Sequence, residues 1–384
     1  MRLTRLYTGA ADAEPPLESP EPPVPHDPAQ TLLILPAGYG DGPEVAAHAA
    51  MLGLKVIGAS SAPGDPAAAG YEVFLQLPHV TQPGFDARLA EAIAAHGVDQ
   101  VHASHFAVWH HLKAALPHLA PGVRLTLGRS NFDLQDDYRA LLKRVVETAP
   151  IPAFEGSPAT RPGPNPAETA GYLRAAMAIP GESYEPKLMA LMEVARRAPR
   201  GDVVEIGCLF GRTAALLAMM NLRYDLGAVL CVDPWSLRST EQGNEELRAA
   251  SRDFDWDAFR RIFEVNVAPF AQGRLNYIHA LSSEGAKVYP ASRQIETQTF
   301  GRTVYEGRIG LLHIDGNHEY EHVLADVRDW VPLVKPGGWV VFDDYEWDWG
   351  DGPKRVVDAF LETEAARVRL SFVRGGAMFV QFAD

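Results

Sequence analysis

Short apolar runs separated by glycines and polar turns recur along the chain, and the clearest example lies at 203–213. An apolar run with two valines and an isoleucine comes first, Gly207 interrupts it, and Thr213 opens a stretch rich in alanine, leucine and methionine. This order predicts a buried strand, a glycine turn and a helix. Gly207 and Gly211 would then lie where a ligand can approach the backbone and the helix N-terminus. A nucleotide-like ligand is the functional interpretation, and a tight turn without a ligand is the alternative.

Six further apolar runs in the C-terminal half predict the other strands of a seven-stranded sheet. They lie at 227–233, 275–281, 309–314, 336–342, 368–373 and 377–382. Helical patterns separate most of them, and the last two are joined by Gly375 and Gly376, which is typical of an antiparallel hairpin. We therefore predict an α/β fold with a Rossmann-like C-terminal sheet whose last strand is antiparallel.

The N-terminal half has the same alternation of strands and helices, over residues 31–120. It predicts a smaller parallel α/β domain with right-handed crossovers. Residues 1–29 are rich in proline and poor in apolar residues, so they predict a disordered tail. A segment rich in proline, glycine and small residues, 151–167, is the predicted linker between domains at 30–150 and 168–384.

Acidic residues end three of the predicted C-terminal strands. Asp233 follows Gly211 by 22 residues, a spacing typical of an acid that binds the hydroxyls of a ribose. Asp315 ends a later strand, and Asp343 with Asp344 ends the next one. If those two strands are neighbours, about 4.8 Å apart, the three carboxylates converge and require a cation such as magnesium, calcium or manganese. A helix cap or a solvated turn is the alternative for the Asp-Asp pair.

Hydroxyls and glycines elsewhere give weaker indications of ligands. Ser282 and Ser283 end the predicted strand that begins at Leu275, and their hydroxyls could meet a base edge, although serine is common in turns. The glycines at 38, 40 and 42 could cradle a phosphate, or could simply form a turn. His102 and His105 could be imagined as zinc ligands, but no cysteine or regular ligand spacing accompanies them.

Composition narrows the classes of function. The formal net charge of -14 argues against a general nucleic-acid surface, because phosphate binding depends on an excess of Lys and Arg. No apolar stretch approaches the ~20 residues that a membrane helix needs, and the first residues lack the pattern of a signal peptide. Cys208 and Cys231 are too few for a disulfide framework and are expected to be buried. We therefore expect a cytoplasmic protein without nucleic-acid or membrane partners. We also expect it to be a homo-oligomer.

The motifs together resemble known families. Residues from about 170 to 384 resemble the class I S-adenosylmethionine-dependent methyltransferases, through the cofactor loop at 205–213 and the ribose strand that ends at Asp233. The blocks at 314–320 and 336–344 resemble the metal-dependent macrocin and mycinamicin type of sugar O-methyltransferase. Residues 31–120 resemble the Rossmann-like domain that precedes ATP-grasp folds, but no ATP-grasp fold follows.

The resemblance implies a role for each matching residue. Asp315, Asp343 and Asp344 would hold magnesium, and His318 would act as the base. S-adenosylmethionine would be bound by the remaining residues of the pattern, which are Glu205, Gly207, Gly211, Thr213, Asp233 and Ser282.

Three functional hypotheses follow. The first is a magnesium-dependent O-methyltransferase acting on a hydroxyl of a small molecule or sugar. The second is a metal-independent methyltransferase acting on nitrogen or a carboxylate. The third is a catalytically silent nucleotide-binding or scaffold module. The set formed by Asp315, His318, Asp343 and Asp344 favours an enzyme, because a binding module has no need of a base beside a metal site. Aromatic residues near this set could line an acceptor site or pack in the core, namely Tyr320, Tyr345, Trp347 and Trp349.

Overall fold

Two units make up the chain, divided between Leu141 and Leu142, and each is described by itself. The structure is a computed structural model, and it describes residues 30–128, 134–148, 151–237, 249, 251–252 and 254–384. The proline-rich segment at 1–29 lies outside the described residues. No helix in the described part of the chain has both the length and the apolar character that crossing a membrane requires.

The N-terminal unit is built on a five-stranded parallel sheet in the order β3-β2-β1-β4-β5. Its strands are β1 (Thr31–Ile34), β2 (Lys55–Ser60), β3 (Val73–Gln76), β4 (Gln100–His102) and β5 (Arg124–Leu125). The helices are α1 (Gly42–Met51), α2 (Phe85–His96), α3 (Phe106–Leu119) and α4 (Leu134–Glu147), the last of which spans the division between the units. The predicted parallel α/β domain is confirmed, with β5 as a short strand that the pattern did not predict.

The C-terminal unit contains the predicted seven-stranded sheet. Its strands are β6 (Asp202–Ile206), β7 (Val229–Asp233), β8 (Leu275–His279), β11 (Ile309–Ile314), β12 (Val334–Phe342), β13 (Val368–Arg374) and β14 (Ala377–Phe382). They are ordered β13-β14-β12-β11-β6-β7-β8, and β14 runs antiparallel to both of its neighbours. A separate antiparallel pair is formed by β9 (Gln294–Thr297) and β10 (Gly301–Val304). The predicted fold class is confirmed.

Helices cover the sheet of the C-terminal unit. They are α5 (Pro166–Met177), α6 (Glu185–Ala195), α7 (Arg212–Tyr224), α8 (Trp256–Ala271), α9 (Ser282–Ser292), α10 (Tyr320–Trp330) and α11 (Gly352–Thr363). The helix predicted at 242–272 begins only at Trp256 among the described residues, and most of its earlier part lies outside them. Helix α5 is not predicted by the sequence pattern, because its first turn overlaps the proline-rich segment of the predicted linker. Asn165 caps it with a reciprocal bond to Glu168.

Strand register brings the ends of three central strands to one level. Ile314 on β11 pairs with Ile206 on β6 and with Phe342 on β12. The next residues along the chain are therefore neighbours at the carboxyl edge of the sheet. In parallel α/β sheets, this edge is where ligands bind.

Candidate functional site

The glycine turn after β6 allows a close contact between two chain segments. Gly207 has a φ of +80°, and a Cβ atom at this position would lie 1.8 Å from the carbonyl oxygen of Asp315. Gly211 has a φ of +89° at the start of α7, and its Cβ would lie 2.9 Å from Val267 Cγ1. Both positions therefore require glycine for their backbone conformation and for packing.

Hydrogen bonds of the sheet continue past the strand ends into this turn. The N–H of Gly207 donates to Val232 O at 2.9 Å, and that of Asp315 donates to Ile206 O at 2.8 Å. The N–H of Asp343 donates to Ile314 O at 2.9 Å. The backbone of the predicted metal ligands is thus fixed by the sheet itself rather than by a loop.

Asp233 ends β7 as predicted, and its carboxylate holds the glycine turn. Its Oδ2 accepts from the N–H groups of Cys208 at 2.7 Å and Leu209 at 3.0 Å, and its Oδ1 accepts from Trp235 N–H at 2.7 Å. Burial raises the pKa of Asp233, and these backbone donors lower it in part. Both oxygens therefore stabilise the turn in this structure, and contact with a ribose stays a prediction.

The hydroxyls assigned to the cofactor make contacts within the protein. Thr213 is buried in the first turn of α7, with Oγ1 at 3.1 Å from Ser183 Oγ. Ser282, the first residue of α9, donates to Asp326 and accepts from Trp330 Nε1 at 2.9 Å. The Ser282 hydroxyl thus serves two buried partners, and its contact with a base edge stays a prediction.

Glu205 lies on β6, directly beside His313 on β11. Glu205 Oε1 is 3.0 Å from His313 Nδ1, and both side chains are buried. Burial raises the pKa of Glu205, while the bond to His313 lowers it in part. The second oxygen, Oε2, is buried and has no hydrogen-bond partner among the described residues. Sequence reasoning missed His313, because it lies inside an apolar strand.

Two of the three predicted metal ligands come together. Asp315 and Asp343, with His313, each place one potential ligand atom within 4.8 Å of the others. Burial and the charge of Asp343 raise the pKa of Asp315 well above its usual range. The pKa of Asp343 is lowered to about 2, because the nearby Lys187 ammonium outweighs the effect of burial. The pair therefore attracts positive charge.

Lys187 supplies that charge, and the sequence analysis did not identify it. It lies on α6, its side chain is 3% exposed, and its ammonium pairs with Asp343 and lies 3.5 Å from Asp315 Oδ2. Burial lowers the pKa of Lys187, but the two carboxylates raise it overall. A signal was present, because Lys187 shares the face of Leu191 and Val194 on the helix, and a charge on a buried stripe needs a partner.

The third acid, Asp344, lies beside the predicted base. Asp344 has a φ of +53°, and its Oδ2 is 2.8 Å from His318 Nε2. The His318 ring packs against Trp347, with ring centres 4.4 Å apart. A narrow cleft at the sheet edge is lined by Asp315, His318, Asp343 and Asp344. The predicted chemistry therefore divides into an Asp315–Asp343 pair and a His318–Asp344 pair on one cleft.

The other aromatic candidates have different surroundings. Tyr345 donates to Asp358 Oδ1 at 2.7 Å, and the Tyr320 ring packs under Arg355. Trp349 is 71% exposed. Of these four aromatic residues, Trp347 is the one whose ring packs against His318.

Contacts within the protein occupy the candidate positions of the N-terminal unit. His102 Nδ1 is 2.8 Å from Thr126 Oγ1, and its Nε2 is 3.0 Å from Asp41 Oδ1. Gly40 has a φ of +63°, and its Cβ would lie 2.8 Å from Ser104 Oγ. Both ring nitrogens of His102 thus have protein partners. The resemblance of this unit to the domain that precedes ATP-grasp folds stays a prediction.

Comparison with protein families bears on the C-terminal unit. Residues 204–345 match a family described as "Methyltransferase domain". Over this segment, the chain is similar to a methyltransferase domain. The matched segment runs from the glycine turn to the Asp343–Asp344 pair, so it includes every residue assigned above to the metal site and the base. This confirms the predicted methyltransferase for the matched segment.

The solved structures that have some similarity to this chain are distant from it. The O-methyltransferase NovP is 16% identical with a TM-score of 0.40, over 52% of this chain and 80% of that one. CalS11 is described as a TDP-rhamnose 3'-O-methyltransferase of calicheamicin biosynthesis. It is 15% identical with a TM-score of 0.36, and the match covers 67% of this chain and 97% of CalS11. MycE, solved in complex with Mg, SAH and mycinamycin VI, is 15% identical with a TM-score of 0.31, and the match covers 51% of this chain and 48% of MycE. These values assign no substrate to this chain, and no curated protein matches it significantly.

Replacing Gly207 by alanine tests the close contact at the turn. Gly207→Ala is expected to lower the free energy of unfolding by more than about 3 kcal/mol, because its methyl group would overlap the Asp315 carbonyl. The matched control is Gly273→Ala, at a φ of +72° with no atom within 4 Å of its Cβ. The control should lose only about 1 kcal/mol. Urea denaturation measures both, and equal losses would contradict the packing argument.

Asp326, the partner of Ser282, gives the domain a pH-dependent stability. Burial raises the pKa of Asp326 to about 7 from an ordinary 3.8, although Ser282 lowers it in part. Between these pH values the folded state binds a proton that the unfolded state has lost, so stability falls as the pH rises. Asp326→Asn should remove this loss.

The two proteins are compared by denaturation at several pH values. Asp326→Asn is expected to be more stable than the wild type at pH 8, by on the order of 3 kcal/mol. The difference should shrink toward zero below about pH 3, where the carboxyl is protonated in both states. A stability difference that stays constant over this range would contradict the raised pKa.

Proposed function

We propose that this protein is an S-adenosylmethionine-dependent O-methyltransferase that methylates a hydroxyl of a small molecule or sugar. The observation that carries the proposal is the shared sheet edge. The glycine turn after β6, the two carboxylates of Asp315 and Asp343, and His318 all lie at the carboxyl ends of neighbouring strands within the matched methyltransferase segment.

The cofactor is proposed to lie against the glycine turn. A Cβ at Gly207 or Gly211 would collide with neighbouring atoms, so the backbone there lies closer to its surroundings than other residues allow. Asp233 fixes the N–H groups of this turn. We assign to the cofactor side of the site the residues of the sequence pattern, which are Glu205, Gly207, Gly211, Thr213, Asp233 and Ser282.

A divalent cation is proposed at the acidic pair. The donors fit a hard cation, because the partly buried carboxylates of Asp315 and Asp343 have oxygens within 4.8 Å of each other and already attract the Lys187 ammonium. Asp315 and Asp343 would hold magnesium, with Asp344 as the third ligand. A bound magnesium ion would lower the pKa of the acceptor hydroxyl and orient it.

His318 is proposed to accept the proton of the acceptor hydroxyl. When bound, S-adenosylmethionine would supply an electrophilic methyl group, which the acceptor oxygen would take as neutral S-adenosylhomocysteine is released. The hydroxyl proton passes to the imidazole. Asp344, 2.8 Å from His318 Nε2, orients the ring, and Trp347 packs against it. The protein's main contribution is alignment, since the sulfonium is already a good electrophile.

A metal-independent methyltransferase is the second candidate. The observation that favours it is Lys187, whose ammonium already neutralises the acids that would bind a metal. Activity that persists with a chelator would support it.

The remaining sequence predictions also belong to this proposal. We propose domains at 30–150 and 168–384 joined by a linker at 151–167, a cytoplasmic location, a homo-oligomeric state, and no nucleic-acid partner. They rest on the composition and patterning of the sequence.

The first test is calorimetric titration of S-adenosylmethionine into the purified protein, with magnesium and then with a chelator. The wild type is expected to bind the cofactor in both conditions. Methyl transfer to a panel of sugar and catechol-like hydroxyls should require magnesium and should be lost in Asp343→Ala. Failure of the wild type to bind the cofactor in either condition would contradict the proposed function.

His318 is tested by its kinetic effect. His318→Asn is expected to lower kcat by about 10²- to 10⁴-fold, because a general base is lost, while cofactor affinity stays unchanged. The matched control is His322→Asn, which alters an exposed histidine four residues later on α10 and should leave kcat unchanged. Equal activity of His318→Asn and wild type would exclude His318 as the base.

A further inference from the structure

A buried lysine occupies the position between the two proposed metal ligands. The Lys187 ammonium pairs with Asp343 Oδ2 and lies 3.5 Å from Asp315 Oδ2. The Lys187 side chain is 3% exposed, so water does not replace these contacts. A metal ion held by Asp315 and Asp343 would be attracted by the same two carboxylates. The ammonium and the metal therefore compete for one volume.

The two carboxylates need a cation whether or not a metal is present. Asp315 and Asp343 each place a carboxylate oxygen within 4.8 Å of the other and of a nitrogen of the buried His313, in a partly buried cleft. Like charges in such a place repel strongly unless a positive charge lies between them. Lysine suits this role because its ammonium is a compact charge on a flexible stem.

The backbone of Lys187 is packed closely against the turn between β13 and β14. A Cβ on Gly375, in the turn between β13 and β14, would lie only 2.7 Å from the Lys187 backbone nitrogen. Helix α6 is therefore packed closely against this turn. The ammonium lies at the end of four methylene groups, so rotation about their bonds can move it without a shift of the backbone.

A second acceptor is available for the displaced ammonium. Glu205 Oε2 is buried and has no hydrogen-bond partner among the described residues, while Oε1 is bonded to His313. An unpartnered buried carboxylate oxygen is costly, and an ammonium donor would satisfy it.

We propose that Lys187 is a built-in counter-ion that holds Asp315 and Asp343 together without metal, and that a divalent cation binds by displacing its ammonium toward Glu205. Lys187 thereby weakens the affinity of the site for divalent cations. This inference rests on the proposed function, because it takes Asp315 and Asp343 as the metal ligands.

The test is calorimetric titration of Mn²⁺ alone into the full-length protein and its variants. Lys187→Met removes the charge and keeps a similar volume, so it should bind Mn²⁺ at least tenfold more tightly than the wild type. Lys187→Arg keeps the charge and should show no gain. Lys187→Met/Asp343→Asn removes a ligand as well and should lose the gain. Equal or weaker Mn²⁺ binding by Lys187→Met than by the wild type would overturn the inference.

Thermal stability is a second readout, because Lys187→Met leaves Asp315 and Asp343 without their positive partner. Without metal, Lys187→Met should melt at a lower temperature than the wild type, and Mn²⁺ should raise its Tm more than that of the wild type. If Lys187→Met does not fold, Lys187→Gln takes its place, because the neutral amide can still donate to Asp343. Identical Tm shifts with Mn²⁺ in the wild type and the neutral variant would also overturn the inference.

Cofactor binding and methyl transfer are measured on the same samples, so two failures can be told apart. If S-adenosylmethionine does not bind but Lys187→Met gains Mn²⁺ affinity, the proposed methyl transfer is contradicted and the proposed role of Lys187 as counter-ion is supported. If the cofactor binds, methyl transfer proceeds with a chelator, and no variant gains Mn²⁺ affinity, the counter-ion inference is overturned and the methyltransferase stands.

Discussion

The contact between the backbones at Gly207 and Asp315 is the constraint on which the candidate site depends. A Cβ at Gly207 would lie 1.8 Å from the Asp315 carbonyl oxygen, so the turn after β6 and the end of β11 meet without any side chain between them. Because Asp315 also donates its N–H to Ile206 O, the acid cannot move independently of the sheet. The proposed cofactor turn and the acidic pair are in this way parts of one rigid edge.

Residue patterns predicted most of the fold. Apolar runs identified all seven strands of the large sheet, and the glycines at 375 and 376 identified its hairpin. The pair β9–β10 was missed, because four-residue strands with exposed positions lack a clear alternation. Helix α5 was missed because proline at its start and glycine within it are also typical of linkers.

The site was predictable where chemistry follows strand ends, and less so where it depends on packing. Asp315 and Asp343 could be placed together because parallel neighbours end at one edge. Lys187 could not be placed there from the sequence, because its partners lie 128 and 156 residues away. Nor could spacing reveal that the Asp233 oxygens accept backbone N–H groups, since an acid at that position can serve the turn and a ligand alike.

Because Ile206, Ile314 and Phe342 pair with one another across β6, β11 and β12, the site is sensitive to the length of these strands. Side chains alternate between the two faces of a strand, so insertion or deletion of one residue within β12 would turn Asp343 to the opposite face while leaving every residue type intact. The strands of this edge therefore tolerate substitution on their surfaces better than they tolerate a change of a single residue in length. Insertions and deletions among active homologues are therefore expected in the loops and in the proline-rich segments.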